Sequence, residues 1–584
     1  MKGIKMAQKS KPRTTRKISY RGFEGVDLKK IHSGDESIAF IDNFRITDDG
    51  SLKKRYGFKK VYEYISSSEK VKASYSIVEN GTEVCYFTQG KKVKKFDFST
   101  ETVSHVGTIS QADGNIFFFE YLNNLYVCDG EKIFTVASSS LSESTFYIPL
   151  YGKDWNAFAG DINEAPNLLW PRVAISYKLT PPSTCYLSLG NLSISSIDAL
   201  YRNGTLVSPD AYSIHEKYNS IKVNDFADND VFYAILTFSP DEYYQGQRSA
   251  LYSSSSTSLF SELNKNNLFF WGNDNTNQIF YTTTVNEETA RETDKFATQE
   301  GFYVPVDSYF KVASDRDRVK AFIRHYDRTL IMTDTSTWIA NLQEIENKSL
   351  KLKSINSSIG CVVKNGCVRI ENTIFSIGRD AIYEWNADTD ELNECNAHSI
   401  SDPIKDLLCN QFFDSCMIHL NYSKREIWFF NPSQGYTWIY NFTRRVWYAF
   451  SGFSPAIFLD GGQEVCFFDG LHLYAFNPTM NYDAYKNKQV NILGKLTSGH
   501  LEFNDKRKKK LYSTTVRGEF TSKTLSMKIT LDDGFKQSYD ISPLKRHSVS
   551  SIRTRSGSFT SLIFELTASG TGEQTLHGIE LYAD

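Results

Sequence analysis

The chain alternates apolar and polar positions over short stretches, with aromatic side chains set two apart and tight turns between. Glu83-Val84-Cys85-Tyr86-Phe87 runs into Val93-Lys94-Lys95-Phe96-Asp97-Phe98. A period of two over four to eight residues, bounded by turn residues, predicts half-buried strands. The same pairing of two strands recurs with starts near residues 124, 329, 373, 426 and 464. The later members are the richest in aromatics: Glu426-Ile427-Trp428-Phe429-Phe430 with Thr437-Trp438-Ile439-Tyr440, and Glu464 to Phe468 with His472 to Phe476. Apart from one large gap the spacing is about 38–53 residues, the length of a four-stranded propeller blade. One such sheet cannot bury both its faces, whereas sheets packed radially can, and closing the ring leaves only short edges. The pattern therefore predicts an all-β protein built on a six-bladed β-propeller.

The gap carries strands of its own, Arg172 to Tyr177 and Val231 to Leu236, and reads as an inserted β-rich domain over 140–310. It divides the propeller into a first part over 21–139 and a second over 311–490. Beyond 490, Leu525 to Leu531, Ser561 to Leu566 and Gly578 to Tyr582 alternate as sandwich strands, which predicts a C-terminal β-sandwich over 491–584. Near the start, Ile38 to Ile46 and Leu52 onward flank Asp48-Asp49-Gly50, a tight-turn signal, and read as a hairpin. Residues 1–20 form a basic arm: Lys9, Lys11, Arg13, Arg16 and Lys17 occur there without apolar periodicity.

Composition sharpens this picture. The chain has 584 residues, with 41 Phe, 34 Tyr and 8 Trp against 14 Pro, which favours packed strands over disorder. The formal net charge is −2, without the basic excess of a protein that grips nucleic acid through phosphates. No run of 18 apolar residues predicts a membrane helix, and the basic start lacks the apolar core of a secretory signal. The nine cysteines are odd in number and have no C-x2-C pair, which predicts reduced, partly buried thiols rather than a disulfide framework or a zinc site.

Chemistry is sparse. There is no G-x-S-x-G, H-E-x-x-H or phosphate-loop motif, and the ten histidines never fall three or four apart. No catalytic, cofactor-binding or metal-ligating residue is assigned, and no cofactor is expected. Thr333-Asp334-Thr335-Ser336-Thr337-Trp338 faintly resembles the aspartate-box turn of sialidase-like glycosidases but lacks the glycine, and reads as a blade turn beside a core Trp. The candidate partner-docking residues are the arm cations together with Lys506, Arg507, Lys508, Lys509 and Lys510, and Arg553 with Arg555, which alternate along a strand and would share one face.

Three stretches carry a resemblance: Arg21-Gly22-Phe23-Glu24-Gly25-Val26-Asp27, then Asn43-Phe44-Arg45, then Asp49-Gly50-Ser51-Leu52-Lys53-Lys54-Arg55-Tyr56-Gly57-Phe58. Their order, followed by Asn167-Leu168-Leu169-Trp170-Pro171-Arg172, Asn275 to Tyr281, Arg328 to Trp338 and Gly360-Cys361-Val362, resembles bacteriophage tail hub or nozzle proteins, including packaged-DNA stabilisation proteins. Tyr56 departs from the pattern, where proline is common. The resemblance implies a virion protein assembled in the bacterial cytoplasm. It would form a homo-oligomeric ring, typically sixfold, below the portal and adaptor. Such a ring extends the DNA channel without sequence-specific binding, helps retain packaged DNA and anchors other tail proteins and fibres. The competing expectation is a tail-tip host-glycan binder or depolymerase using the propeller's central face.

Overall fold

The computed structural model describes residues 15–584 except 31–36, 64–68, 157, 182–183, 263–264, 286, 288–289, 291–294, 297–300, 315, 326–327, 343–349, 387–395, 409–410, 433, 460–463, 486–487, 505, 521–524, 542–543, 555 and 571–572. It is an all-β architecture of many sheets, most of them small and antiparallel.

Each of the six expected hairpins is the middle pair of a four-stranded unit. Sheet I is Val71–Glu79, Thr82–Gln89, Lys92–Asp97 and Thr102–Thr108; sheet II is Phe117–Tyr121, Asn124–Cys128, Ile133–Ala137 and Ser140–Glu143. A further unit, sheet III, lies where the inserted domain was expected: Ser256–Glu262, Lys265–Trp271, Gln278–Tyr281 and Tyr309–Lys311. Sheet IV is Val319–His325, Arg328–Thr333, Thr337–Ala340 and Leu352–Asn356; sheet V is Cys367–Ile370, Thr373–Ile377, Ile382–Trp385 and Ala397–Ser399. Sheet VI is Met417–Asn421, Glu426–Phe430, Tyr436–Asn441 and Val446–Ser451; sheet VII joins Ile457–Leu459, Cys466–Phe468 and His472–Asn477 to the distant Gly57–Glu63. Among the described residues the four-stranded units thus number seven, where six were expected. Sheet III escapes the repeat pattern because its middle strands are joined by the polar loop 272–277 instead of a tight turn, and its last strand follows a long connection.

The seven sheets pack in cyclic order through apolar layers. Tyr86 and Val93 of sheet I meet Phe118 and Val127 of sheet II. Phe119 and Tyr126 meet Phe270 and Phe280, and Phe269 meets Phe322 and Ile331. Leu330 and Met332 meet Ile374 and Trp385. Sheets V, VI and VII share one core, in which Phe375 packs on Tyr440 and Trp428 on Phe458. Sheet VII then returns to sheet I, with Phe87 and Phe468 rings 5.0 Å apart. Burial of aromatic side chains of this size dominates the stability of such layers.

The inserted region contracts to the stretch between sheets II and III. There Arg172–Lys178 and Val231–Phe238 pair antiparallel inside a five-stranded sheet. A smaller sheet of Tyr186–Ser188, Ser220–Val223 and Tyr212–His215 lies beside it in sequence. The helix Glu242–Tyr252 leads into sheet III, its first turn capped by the Asp241 carboxylate accepting from the Tyr244 N–H at 2.7 Å.

The C-terminal region is two-layered, but it is not made by 491–584 alone. One layer is Gly494–Ser498, Leu562–Ala568, Leu525–Leu531 and Lys536–Ile541, extended by Ile38–Asp42. The other is Gln574–Ala583, Leu511–Phe520 and Leu544–Arg553, with Phe44–Ile46, Leu52–Lys54 and Arg16–Tyr20 added. Residues expected in the arm and the first propeller segment therefore complete this region. The reason is an apolar face that needs covering: Ile18, Tyr20, Phe44 and Leu52 are buried with Met527, Phe564, Leu576 and Leu581. Asp42 also bridges to Ala449 in parallel, so this layer is continuous with sheet VI.

Candidate functional site

The first strands of sheets I, II, III, VI and VII, with the lead into sheet V, surround a cavity of about 820 Å³. Its charged or titratable lining includes Lys72, Glu120, Lys364 and His419. Glu120 accepts from the Tyr75 hydroxyl at 3.3 Å, Lys364 pairs with Asp274 at 2.8 Å, and His419 stacks on Phe458 at 4.9 Å. Glu120 is the sole carboxylate among the described lining residues, whereas glycoside hydrolysis by the common route uses two. Among the described residues no three His, Cys, Asp or Glu side chains converge as a metal site. The Thr333–Trp338 turn is held by Asp317, whose carboxylate accepts from the Thr333 and Ser336 hydroxyls at 2.6 and 2.9 Å and from the Thr335 N–H at 3.0 Å. Trp338 donates to Ser336 at 2.9 Å, so this turn is internally satisfied.

The cations singled out from the sequence divide. Lys9, Lys11, Arg13 and Arg555 lie outside the described residues, as do Cys395 and Cys409. The seven described cysteines are free thiols. Arg16 and Lys17 are not in a solvated arm but begin a strand paired with the C-terminal one, Arg16 opposite Ala583 and Lys17 opposite Tyr582. Lys509 is no docking residue: it is 2% exposed, and its Nζ donates to the carbonyls of Thr560 and Arg507 at 2.7 and 3.1 Å. Burying an ammonium requires such partners. Lys506, Arg507, Lys508 and Lys510 stay exposed.

Register brings together what sequence distance separates. Arg553 lies opposite Ser513, Ser513 opposite Tyr582, and Tyr582 opposite Lys17. Directly opposed residues share a face, so Lys17 and Arg553 stand on one side of the same sheet. Arg21 and Arg517 join Lys17 around a single buried carboxylate, Glu580, at 3.8, 3.5 and 2.8 Å. Lys17 above all, helped by the Tyr582 hydroxyl and Arg517, pushes the Glu580 carboxyl down to about 2. Three cations around one buried acid, with Arg553 on the same side of the sheet, make this face basic. Arg21 and Arg517 were missed from the sequence; only the alternation of Ser513, Thr515 and Arg517 hinted at the latter.

The N-terminal motifs form the junction of the two-layered region with sheets VI and VII. Phe23 donates its N–H to Gly50, and Val26 donates to Trp447. Gly25 sits at φ +83°, where a Cβ would lie 2.8 Å from Val446, so this position requires glycine. Arg45 forks onto Glu426, which also accepts from Tyr448 at 2.5 Å and Trp428 at 2.9 Å. Arg55 binds both oxygens of Asp483, at 2.8 and 2.6 Å, and the Ser451 carbonyl at 2.8 Å. It stands just before the strand that completes sheet VII.

Asp42 marks the seam. It is 8% exposed, and burial pushes its carboxyl up to about 6, against the opposing pull of the Ser451 hydroxyl and Arg55. A raised folded-state value favours the protonated form, so this contribution is complete below about 3.8 and is lost as pH rises through 6. Glu580 has the opposite sign: its contribution is present above about 4.5 and is lost as pH falls through 2. The variant Asp42→Asn is expected to gain stability over the parent at pH 7.5, by up to about 3 kcal/mol. Unfolding midpoints at pH 4 and 7.5 check this: the gap between variant and parent widens with pH.

No family model and no curated protein matches the chain. Solved structures similar to it include the AfRom2 CNH domain (8% identity, 72% of this chain and 99% of that one, TM-score 0.35) and a chain of the mitotic checkpoint complex (9%, 74% and 92%, TM-score 0.32). An exo-beta-1,3-galactanase from Phanerochaete chrysosporium aligns at 9% identity over 81% of this chain and 96% of that one, with a TM-score of 0.18. Likenesses at these scores carry no conclusion about activity.

Proposed function

We propose that the chain is a structural bacteriophage tail protein in which the seven cyclically packed sheets form a β-propeller, and several copies make a hub or nozzle ring extending the DNA channel. The observation that carries this reading is the ordered set of motifs resembling that family. Their residues are not scattered: Phe23, Gly25, Asn43, Arg45 and Arg55 form one junction joining the two-layered region to sheets VI and VII. A tail component has to transmit load between neighbours, and a rigid junction suits that task. The basic face of Lys17, Arg21, Arg517 and Arg553 supplies a surface complementary to an acidic neighbouring tail protein. The function is non-enzymatic in this reading, and the ring retains and passes DNA without reading its sequence. A glycan depolymerase working from the central cavity would need a second carboxylate beside Glu120, and the described lining has none.

Sedimentation of the purified chain and mass spectrometry of purified particles test this. A ring-sized oligomer, and the chain as a stoichiometric particle component, are expected. A strictly monomeric protein absent from the particle would overturn the reading.

A further inference from the structure

A second cavity, of about 430 Å³, opens between the inserted region, the start of helix Glu242–Tyr252 and the segment leading into the last strand of sheet III. Its apolar wall includes Phe238, Tyr244 and Leu192, and Tyr243, half exposed, stands on it. Its polar groups are of both kinds, donors and acceptors: Tyr151, Asn191, Ser193, Ser239 and the carboxylates of Asp241 and Asp307. Among the described lining residues there is no lysine or arginine, so anionic ligands are disfavoured.

One side chain asks for a ligand. Tyr151 is 6% exposed, lines this cavity, and its hydroxyl has no hydrogen-bond partner among the described residues. Unpaired within the protein and placed on the cavity lining, it is available to donate to, or accept from, a ligand there. The acceptors are already oriented. Asp307 accepts from the Tyr243 hydroxyl at 3.1 Å, and Asp241 is fixed by the Tyr244 N–H.

We infer that this cavity binds a neutral sugar ring of monosaccharide size. A pyranose presents an apolar C–H face suited to the tyrosine and phenylalanine wall. Its hydroxyls both donate, to Asp307 and Asp241, and accept, from Tyr151 and Asn191. An ammonium ligand would meet the carboxylates and could donate to the Tyr151 oxygen, but its nitrogen offers no acceptor to the Tyr151 O–H or the Asn191 amide. The inference is independent of the tail-ring reading, since it concerns a pocket away from the central cavity and from the basic face.

Saturation-transfer NMR on the full chain with methyl glucoside, methyl galactoside and N-acetylglucosamine tests it, with choline as the cationic probe. At least one sugar is expected to bind, with a dissociation constant on the order of 1 mM for so few atoms. Tyr151→Phe keeps the ring and removes only the hydroxyl; it should weaken that binding about five- to tenfold. Tyr243→Ala, at a half-exposed position, should abolish it while leaving the unfolding midpoint in place. The inference fails if none of the three sugars shows transfer, if choline binds and the sugars do not, or if Tyr151→Phe binds the sugar as the parent does.

Discussion

Replacing Arg55 by methionine is expected to destabilise the protein by about 3–5 kcal/mol, the cost of leaving a buried carboxylate without its partner. The guanidinium is 1% exposed and Asp483 3%. Arg55 also donates to the Asn43 side chain at 2.6 Å and to the carbonyls of Tyr56 and Ser451. Burial already pushes the Asp483 carboxyl up, and Arg55 opposes that. Losing Arg55 therefore leaves Asp483 to take up a proton or to pull water into the seam. The damage should concentrate on strand Gly57–Glu63, which closes sheet VII along His472–Asn477. Hydrogen exchange should show both strands losing protection before sheets II to V. The double replacement Arg55→Met, Asp483→Leu should recover most of the loss, because an apolar pair of similar volume needs no compensation. A single variant as stable as the parent would contradict this.

The second large effect is expected at Asn167, the first residue of Asn167-Leu168-Leu169-Trp170-Pro171-Arg172. Its side chain is fully buried and makes four hydrogen bonds. The amide donates to the carbonyls of Tyr147 and Phe302 at 2.9 and 3.1 Å, and its oxygen accepts from the N–H groups of Leu169 and Val304 at 3.2 and 3.1 Å. Tyr147 enters the inserted region and Phe302 lies in the connection to the last strand of sheet III, so one side chain ties the start of the insertion to sheet III. Asn167→Ala strands backbone groups at about 1–3 kcal/mol each and should cost about 3–5 kcal/mol in total. Limited proteolysis should then cut the inserted region faster than in the parent, while sheets IV to VI keep their exchange protection. Unchanged proteolysis would mean that Asn167 does not hold the insertion.

Both positions lie in stretches that stand out in the sequence, yet their roles were not legible there. The six aromatic hairpins were readable because each is two adjacent strands joined by a short turn. Sheet III was not, because its middle strands Lys265–Trp271 and Gln278–Tyr281 are parted by a polar loop and its last strand comes from Tyr309–Lys311. The closing strand and the N-terminal half of the two-layered region depend on pairings between opposite ends of the chain, which no local period reports. The same holds for the basic face. Arg553 could be read as exposed on a strand, but its place beside Lys17 follows from the register of three strands. Lys509 reads like its neighbours in a run of cations, and only the strand contact with Phe559 turns it inward. The 430 Å³ cavity left no sequence signal, because Tyr151, Asn191 and Asp307 converge from three separate segments.

The most direct measurement is cryo-electron microscopy of the particle, or of the purified oligomer, at the position of this chain. The account predicts a closed ring of copies around the DNA path, each with seven blades and with the face of Lys17, Arg21, Arg517 and Arg553 against a neighbouring protein. A single copy off the axis, or a chain with that face open to solvent and no ring, would contradict it.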